Sequence, residues 1–205
     1  MFTTENINMV NSWGEMTLSQ FIELEQILKA DIPETYKSAN IVSCLSGLSL
    51  EEVENLPLTT FTRLNNQTLF LLDEIPTTKH KDYYIINNTK YVLKADVTDI
   101  TTSQYIDYQS YIKEGDLVKL LSLFLIPEGH KYNDGYNMSK VQYDIENMVL
   151  LDAQSIAFFL RIQLAASILI MKDCLKEQMK KEKKPKQEIQ QVETLYNNMA
   201  SCLLL

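Results

Sequence analysis

The stretch KDYYIINNTKYVLKADVTDI, residues 81–100, breaks the rhythm of a chain that otherwise reads as helix. Two apolar runs flank Asn87-Asn88, and asparagine tolerates the positive φ angles of a tight hairpin turn. The pattern predicts strands near 81–87 and 90–97. A two-stranded hairpin is only marginally stable alone, so it must pack on helices or join a partner's sheet. The edge it leaves is either covered or a docking surface.

Upstream, residues 12–75 read as short helices. Thr17 with Gln20 forms a capping box. Leu18, Phe21, Ile22, Leu24, Ile27 and Leu28 then recur at helical spacing, until Asp31-Ile32-Pro33 breaks the run. A second helix fits Glu34 to Leu45 and ends at Gly47. Ser49 with Glu52 opens a third, and Pro57 begins a fourth whose buried side is Leu58, Phe61, Leu64, Leu69 and Leu72.

Downstream, Thr101 and Gln104 form another capping box. It opens a helix whose tyrosines, Tyr105, Tyr108 and Tyr111, recur every three residues. Such a stripe is either packing at a surface or a ligand grip. A helix over 116–126, a loop, and a helix from about Met138 follow, then a long helix from Asp152 to about Lys183 and a last one over 186–203 after Pro185. The fold class is mainly α. It has a helical N-terminal region over 1–78, a β-hairpin with helices over 79–150, and a long apolar helix with a C-terminal docking segment over 151–205.

The long helix is not expected to span a membrane. Only ten uncharged residues, Ile162 to Met171, lie between Arg161 and Lys172, and a span needs about twenty. Apolar nearly all round, it is predicted to bury Phe158, Phe159, Ile162, Leu164, Ile168 and Leu169 in a core or against neighbouring subunits.

Composition narrows the function. With 19 basic and 27 acidic residues the net charge is −8, which disfavours general binding to nucleic-acid phosphates. The three cysteines, Cys44, Cys174 and Cys202, have no CxxC spacing and read as reduced, buried thiols, neither a disulfide frame nor a zinc site. No secretory signal is expected at the N-terminus, so the sequons at Asn66, Asn87 and Asn137 carry no weight. Cys202-Leu203-Leu204-Leu205 has the form of a prenylation box in a eukaryote, and otherwise reads as an apolar end docking in a groove.

Glu128, His130 and Asp134 crowd into FLIPEGHKYNDGY, residues 124–136. A catalytic zinc site wants three protein ligands, and the only other histidine is His80. No GxSxG, P-loop or GxGxxG supplies a nucleophile or phosphate cradle. The segment reads as a corner: Asp134-Gly135 turns the chain and Asn137 caps the next helix. No catalytic, metal or cofactor residues are assigned.

The block Leu125 to Tyr136 resembles a family of virion-morphogenesis proteins encoded by tailed phages of gut Bacteroidetes, including crAss-like phages. Ser12-Trp13-Gly14-Glu15, Ile100 to Gln109 and Ser155 to Phe159 extend the likeness up to about residue 160. The resemblance implies a late, non-enzymatic protein made in the bacterial cytoplasm and carried in the virion as a cargo or tail- or portal-associated component. The alternatives are a tail assembly chaperone absent from the mature particle, a small hydrolase using Glu128 and His130, and a host-directed interaction module. Expected partners are portal or tail rings and copies of the chain itself, with no membrane.

The residues assigned to such contacts are Lys180, Lys181, Lys183, Lys184, Leu203, Leu204 and Leu205. Seven lysines stand between Lys172 and Lys186 against three acids, a solvated helix end or a contact for DNA or an acidic surface. Burial of the leucines is the favoured attachment, because the acidic remainder of the chain opposes DNA.

Overall fold

The computed structural model describes residues 7–96 and 100–204, without the side chains of 167, 168 and 199–204. The chain is mainly α, with a small sheet in its middle and one long apolar helix towards its C-terminus. It divides into two compact units, residues 1–79 with 139–154, and residues 80–138 with 155–205.

The first unit is built from α1 (Leu18–Lys29), α2 (Glu34–Ser46), α3 (Leu50–Glu54), α4 (Leu58–Gln67) and a 3-10 turn (Thr68–Leu72). The returning chain adds most of α7 (Met138–Glu146) and the first turn of α8 (Leu150–Lys181). Local chemistry sets the helix ends. Both predicted capping boxes form, at Thr17 with Gln20 and at Ser49 with Glu52. Gly47 closes α2 at φ 72°, a left-handed conformation that a Cβ would strain.

The return segment is stitched to the start of α1 by backbone bonds, Leu18 N–H to the Met148 carbonyl at 2.9 Å and Leu150 N–H to the Met16 carbonyl at 2.8 Å. Met16, Leu18, Leu24, Val42, Leu45, Leu64, Ile145 and Leu150 are buried in this unit. The predicted faces of α1 and α4 are only partly covered. Leu28, Leu58, Leu69 and Leu72 stand exposed, contrary to the apolar periodicity, because periodicity marks a face without supplying the element that covers it.

The second unit contains the sheet. Strands β1 (Tyr83–Ile86) and β2 (Thr89–Leu93) pair antiparallel through a two-residue turn with Asn87 at φ 47° and Asn88 at φ 61°. The predicted hairpin is present, shorter at both ends. Its missing partner is a third strand, β3 (Leu125–Pro127), which pairs antiparallel with β2 and makes β2 the central strand.

Helix α5 (Thr102–Glu114) and α6 (Leu117–Ser122) precede β3. The helix predicted over 116–126 thus stops at Ser122, and the chain goes over to pairing with β2. Tyr84, Ile86 and Tyr91 face the core, while Tyr83 and Ile85 face out. The Thr101–Gln104 capping box forms by half. Thr101 accepts the Gln104 N–H, but the Gln104 side-chain amide turns inward and donates to the Leu123 carbonyl at 2.7 Å.

Helix α8 runs for 32 residues and α9 (Lys186–Leu204) follows it. Ion pairing of Lys176 with Glu193 and a 3.0 Å bond from Lys172 to Asn197 set the two helices antiparallel. Within the second unit α8 buries Ile156, Leu160, Leu164 and Ala165. Phe158, Ile162 and Leu169, predicted to be buried, are exposed, and the Ile168 side chain lies outside the described residues. Phe159 is half-buried and stacks on His80 with ring centroids 3.7 Å apart.

By length and composition α8 is also long and apolar enough to cross a membrane. It contains an 18-residue window of mean hydropathy 1.6, of which 31% is buried. The uncharged run is short, but one arginine inside an apolar helix does not bring the mean down.

Candidate functional site

The corner after β3 is the densest cluster of ionisable and aromatic side chains that the sequence singles out. Glu128 N–H donates to the Lys90 carbonyl at 2.9 Å and prolongs the β2–β3 ladder by one residue. Gly129 at φ 85°, Asn133 at φ 59° and Gly135 at φ 73° then turn the chain repeatedly. The His130 N–H to the Pro127 carbonyl and the Asp134 N–H to the Lys131 carbonyl, each 3.1 Å, close those turns.

Side chains from the strands and from α5 hold the corner. Lys94 Nζ donates to the His130 carbonyl at 2.7 Å, and Tyr132 Oη donates to the Asp107 carboxylate at 2.6 Å. Burial, followed by that hydrogen bond to Asp107, pushes the Tyr132 phenol well above its ordinary range. It is a donor at every physiological pH. The imidazole of His130 sits edge-on to Tyr136, centroids 5.7 Å apart, and its Nδ1 lies 3.8 Å from the Asp134 carboxylate.

Glu128 is taken up elsewhere. Its carboxylate lies 2.5 Å from Lys90 Nζ, which also sits over the Tyr83 ring at 4.8 Å. The hydrogen bond it donates to Glu128 holds the Lys90 ammonium above its ordinary pKa. Glu128 and His130, adjacent but for one residue, therefore serve different neighbours and do not converge on one point. Among the described residues no group of three His, Cys, Asp or Glu is placed to hold a metal ion.

The tyrosine stripe divides in the same way. Tyr108 is buried against Phe124, edge-on at 6.2 Å, and burial pushes its phenol up to about 12. Tyr105 is exposed, and Tyr111 lies beside Lys119. This is packing, with one ring in the core. Cys44 is buried, and burial with Glu23 beside it raises the thiol to about 12, so it is unreactive; Cys174, expected to be buried, is exposed on α8, and the Cys202 side chain lies outside the described residues.

The assigned lysines lie at the junction of α8 and α9, and the assigned leucines at the opposite end of α9. Lys180 and Lys181 end α8, and Lys183 and Lys184 form the turn into α9, all exposed. The side chains of Leu203 and Leu204, and all of Leu205, lie outside the described residues. Gln187, Gln190, Gln191, Thr194, Leu195 and Asn198 share one open face of α9. Amides and one hydroxyl on a single helix face offer hydrogen bonds but no acid–base pair.

Sequence reasoning missed the Tyr132–Asp107 bond and the Lys94 contact to His130. Partners 25 and 36 residues apart leave no spacing signal. No family model, curated protein or solved structure matches this chain.

Alanine at both Glu128 and His130 is expected to leave the fold intact and to lower the melting temperature by about 2–4 °C at most, the scale of one exposed ion pair in a chain of this length. Thermal denaturation followed by circular dichroism checks this. Stoichiometric zinc binding abolished by His130→Ala would show instead that the corner is a metal site.

Proposed function

We propose that this chain is a non-enzymatic assembly component of a tailed-phage particle, carried in the virion against portal or tail proteins. The observation that supports this reading is the outer face of α8. Phe158 at 65%, Ile162 at 42% and Leu169 at 36% exposure share one face of the helix and remain uncovered, while Leu160 and Leu164 on the opposite face are buried. Apolar side chains left clustered on a surface mark a place where another molecule belongs. Burying each of these large residues stabilises a complex by about 1.5–3 kcal/mol before the costs of association.

The chemistry of the corner agrees, since Glu128, His130 and Asp134 are spent on turns and pairs. The likeness to phage morphogenesis proteins supplies the setting, and the apolar face supplies the means of attachment. An assembly chaperone would use the same face and then leave.

Mass spectrometry of purified particles separates these readings. A virion component is found at a fixed copy number relative to portal and tail proteins. The double substitution Phe158→Gln with Ile162→Gln keeps the helical circular dichroism but lowers that copy number. Absence of the polypeptide from particles that cannot form without it would replace this reading with the chaperone. Normal particles in its absence would overturn both.

A further inference from the structure

We propose that strand β1 pairs edge to edge with β1 of a second copy of this chain, joining two three-stranded sheets into one. The register shows which groups are free to do so. Leu93 N–H donates to the Asp82 carbonyl at 2.9 Å, so these two residues form a hydrogen-bonded pair of the β1–β2 ladder. Such pairs alternate along antiparallel strands, so Tyr84 with Tyr91 and Ile86 with Thr89 are bonded pairs too. The backbone N–H and C=O groups of Tyr83 and Ile85 therefore point to the outer edge, and among the described residues no other element takes them up. Their side chains are 51% and 69% exposed.

The far edge of the sheet is closed. Glu128 N–H bonds to the Lys90 carbonyl and Lys94 N–H to the Phe124 carbonyl, which leaves Leu125 and Pro127 with their backbone groups turned outward. Pro127 has no N–H, and its carbonyl accepts the His130 N–H at 3.1 Å. Leu125 is fully buried. Strand β1 has no such protection, since Tyr83–Ile86 contains no proline, charge or bulge.

A second copy fits this edge in one register. Two-fold symmetry sets the two β1 strands antiparallel, and outward groups must then face outward groups. Placing Tyr83 opposite itself calls on Lys81, whose N–H is already given to Tyr84 Oη at 2.8 Å. Placing Ile85 opposite itself calls on Asn87, which is left-handed at φ 47°. Placing Tyr83 opposite Ile85, with the axis at Tyr84, uses the two free residues of each copy and nothing else. On the exposed face each Tyr83 ring then lies beside an Ile85 side chain, an aromatic and β-branched pair of the kind that stabilises sheets. Lys81 falls opposite Asn87 and Asp82 opposite Ile86, so no like charges meet. The strand is complementary to itself in hydrogen bonds, side chains and charge, and this selects a second copy as its occupant. Both remaining edges are closed β3 strands, so the assembly stops at two copies. The contact lies within the second unit and does not depend on the phage reading.

Sedimentation of the whole chain against concentration provides the test, and a monomer–dimer equilibrium that saturates at two copies is expected. Ile85→Pro removes an outward N–H that the chain's own sheet does not use. It should weaken the dimer more than about tenfold while keeping the circular dichroism of the wild type. Cross-linking reads the register independently of that variant. Bonded antiparallel pairs have Cα atoms about 5.5 Å apart, within reach of a disulfide. In a background of Cys174→Ser and Cys202→Ser, Tyr83→Cys mixed with Ile85→Cys should oxidise to a covalent dimer that neither variant forms alone. A wild-type chain that stays monomeric up to about 1 mM leaves the edge to a strand of another protein and overturns the proposal. So do growth beyond two copies, a folded Ile85→Pro variant that dimerises like the wild type, and a cysteine mixture no more cross-linked than its components.

Discussion

Phe124→Ala is expected to destabilise the second unit by about 3–5 kcal/mol, the usual cost of emptying a buried aromatic site. Against a total of about 5–15 kcal/mol for a typical domain, that is a large fraction. Phe124 is 1% exposed and lies in an unbroken buried run from Leu121 to Ile126. Its ring meets Tyr108 edge-on, and its carbonyl accepts the Lys94 N–H at 2.8 Å, so it anchors the passage from α6 into β3. Neighbours fixed by strand pairing cannot close over the void. Urea titration followed by circular dichroism measures the loss, and an unchanged midpoint would place the ring outside the core. Phe124→Leu, which retains most of the volume, should cost less than half as much.

The first unit has a comparable anchor in Trp13. Its ring packs edge-on against Phe70 at 5.3 Å and Phe21 at 6.4 Å, and its Nε1–H donates to the Asp73 carbonyl at 3.3 Å. It thereby joins the segment before α1 to the end of the 3-10 turn, two stretches 60 residues apart. Trp13→Ala removes the ring and the donor together and should cost about 3–5 kcal/mol. Trp13→Phe keeps an aromatic ring but leaves the carbonyl without its donor, which alone costs about 0.5–1.5 kcal/mol. As Trp13 is the only tryptophan, its emission in the wild type follows the unfolding of this unit, and the variants are compared by thermal melts. Equal melting temperatures for wild type and Trp13→Ala would refute the anchoring role.

Features that a few adjacent residues settle among themselves are readable without the fold. Thr17 finds Gln20 and Ser49 finds Glu52 within one helical turn, Gly47 supplies its own left-handed φ, and Asn87-Asn88 turns a hairpin. The corner after β3 was legible as turns for the same reason, since Gly129 and Asp134-Gly135 act locally. Features that depend on a distant partner emerge when the chain is folded. Leu125–Pro127 continues the apolar run of α6 in sequence and becomes a strand because β2 has an open edge to offer. The Gln104 amide leaves its capping role because a buried carbonyl at Leu123 needs a donor. Leu58, Leu72 and Phe158 are apolar at helical spacing, like Leu64 and Leu160, yet stay exposed. The hydrophobic effect makes burial favourable for all of them, but burial needs a second surface, and which residues receive one is a property of the assembled chain.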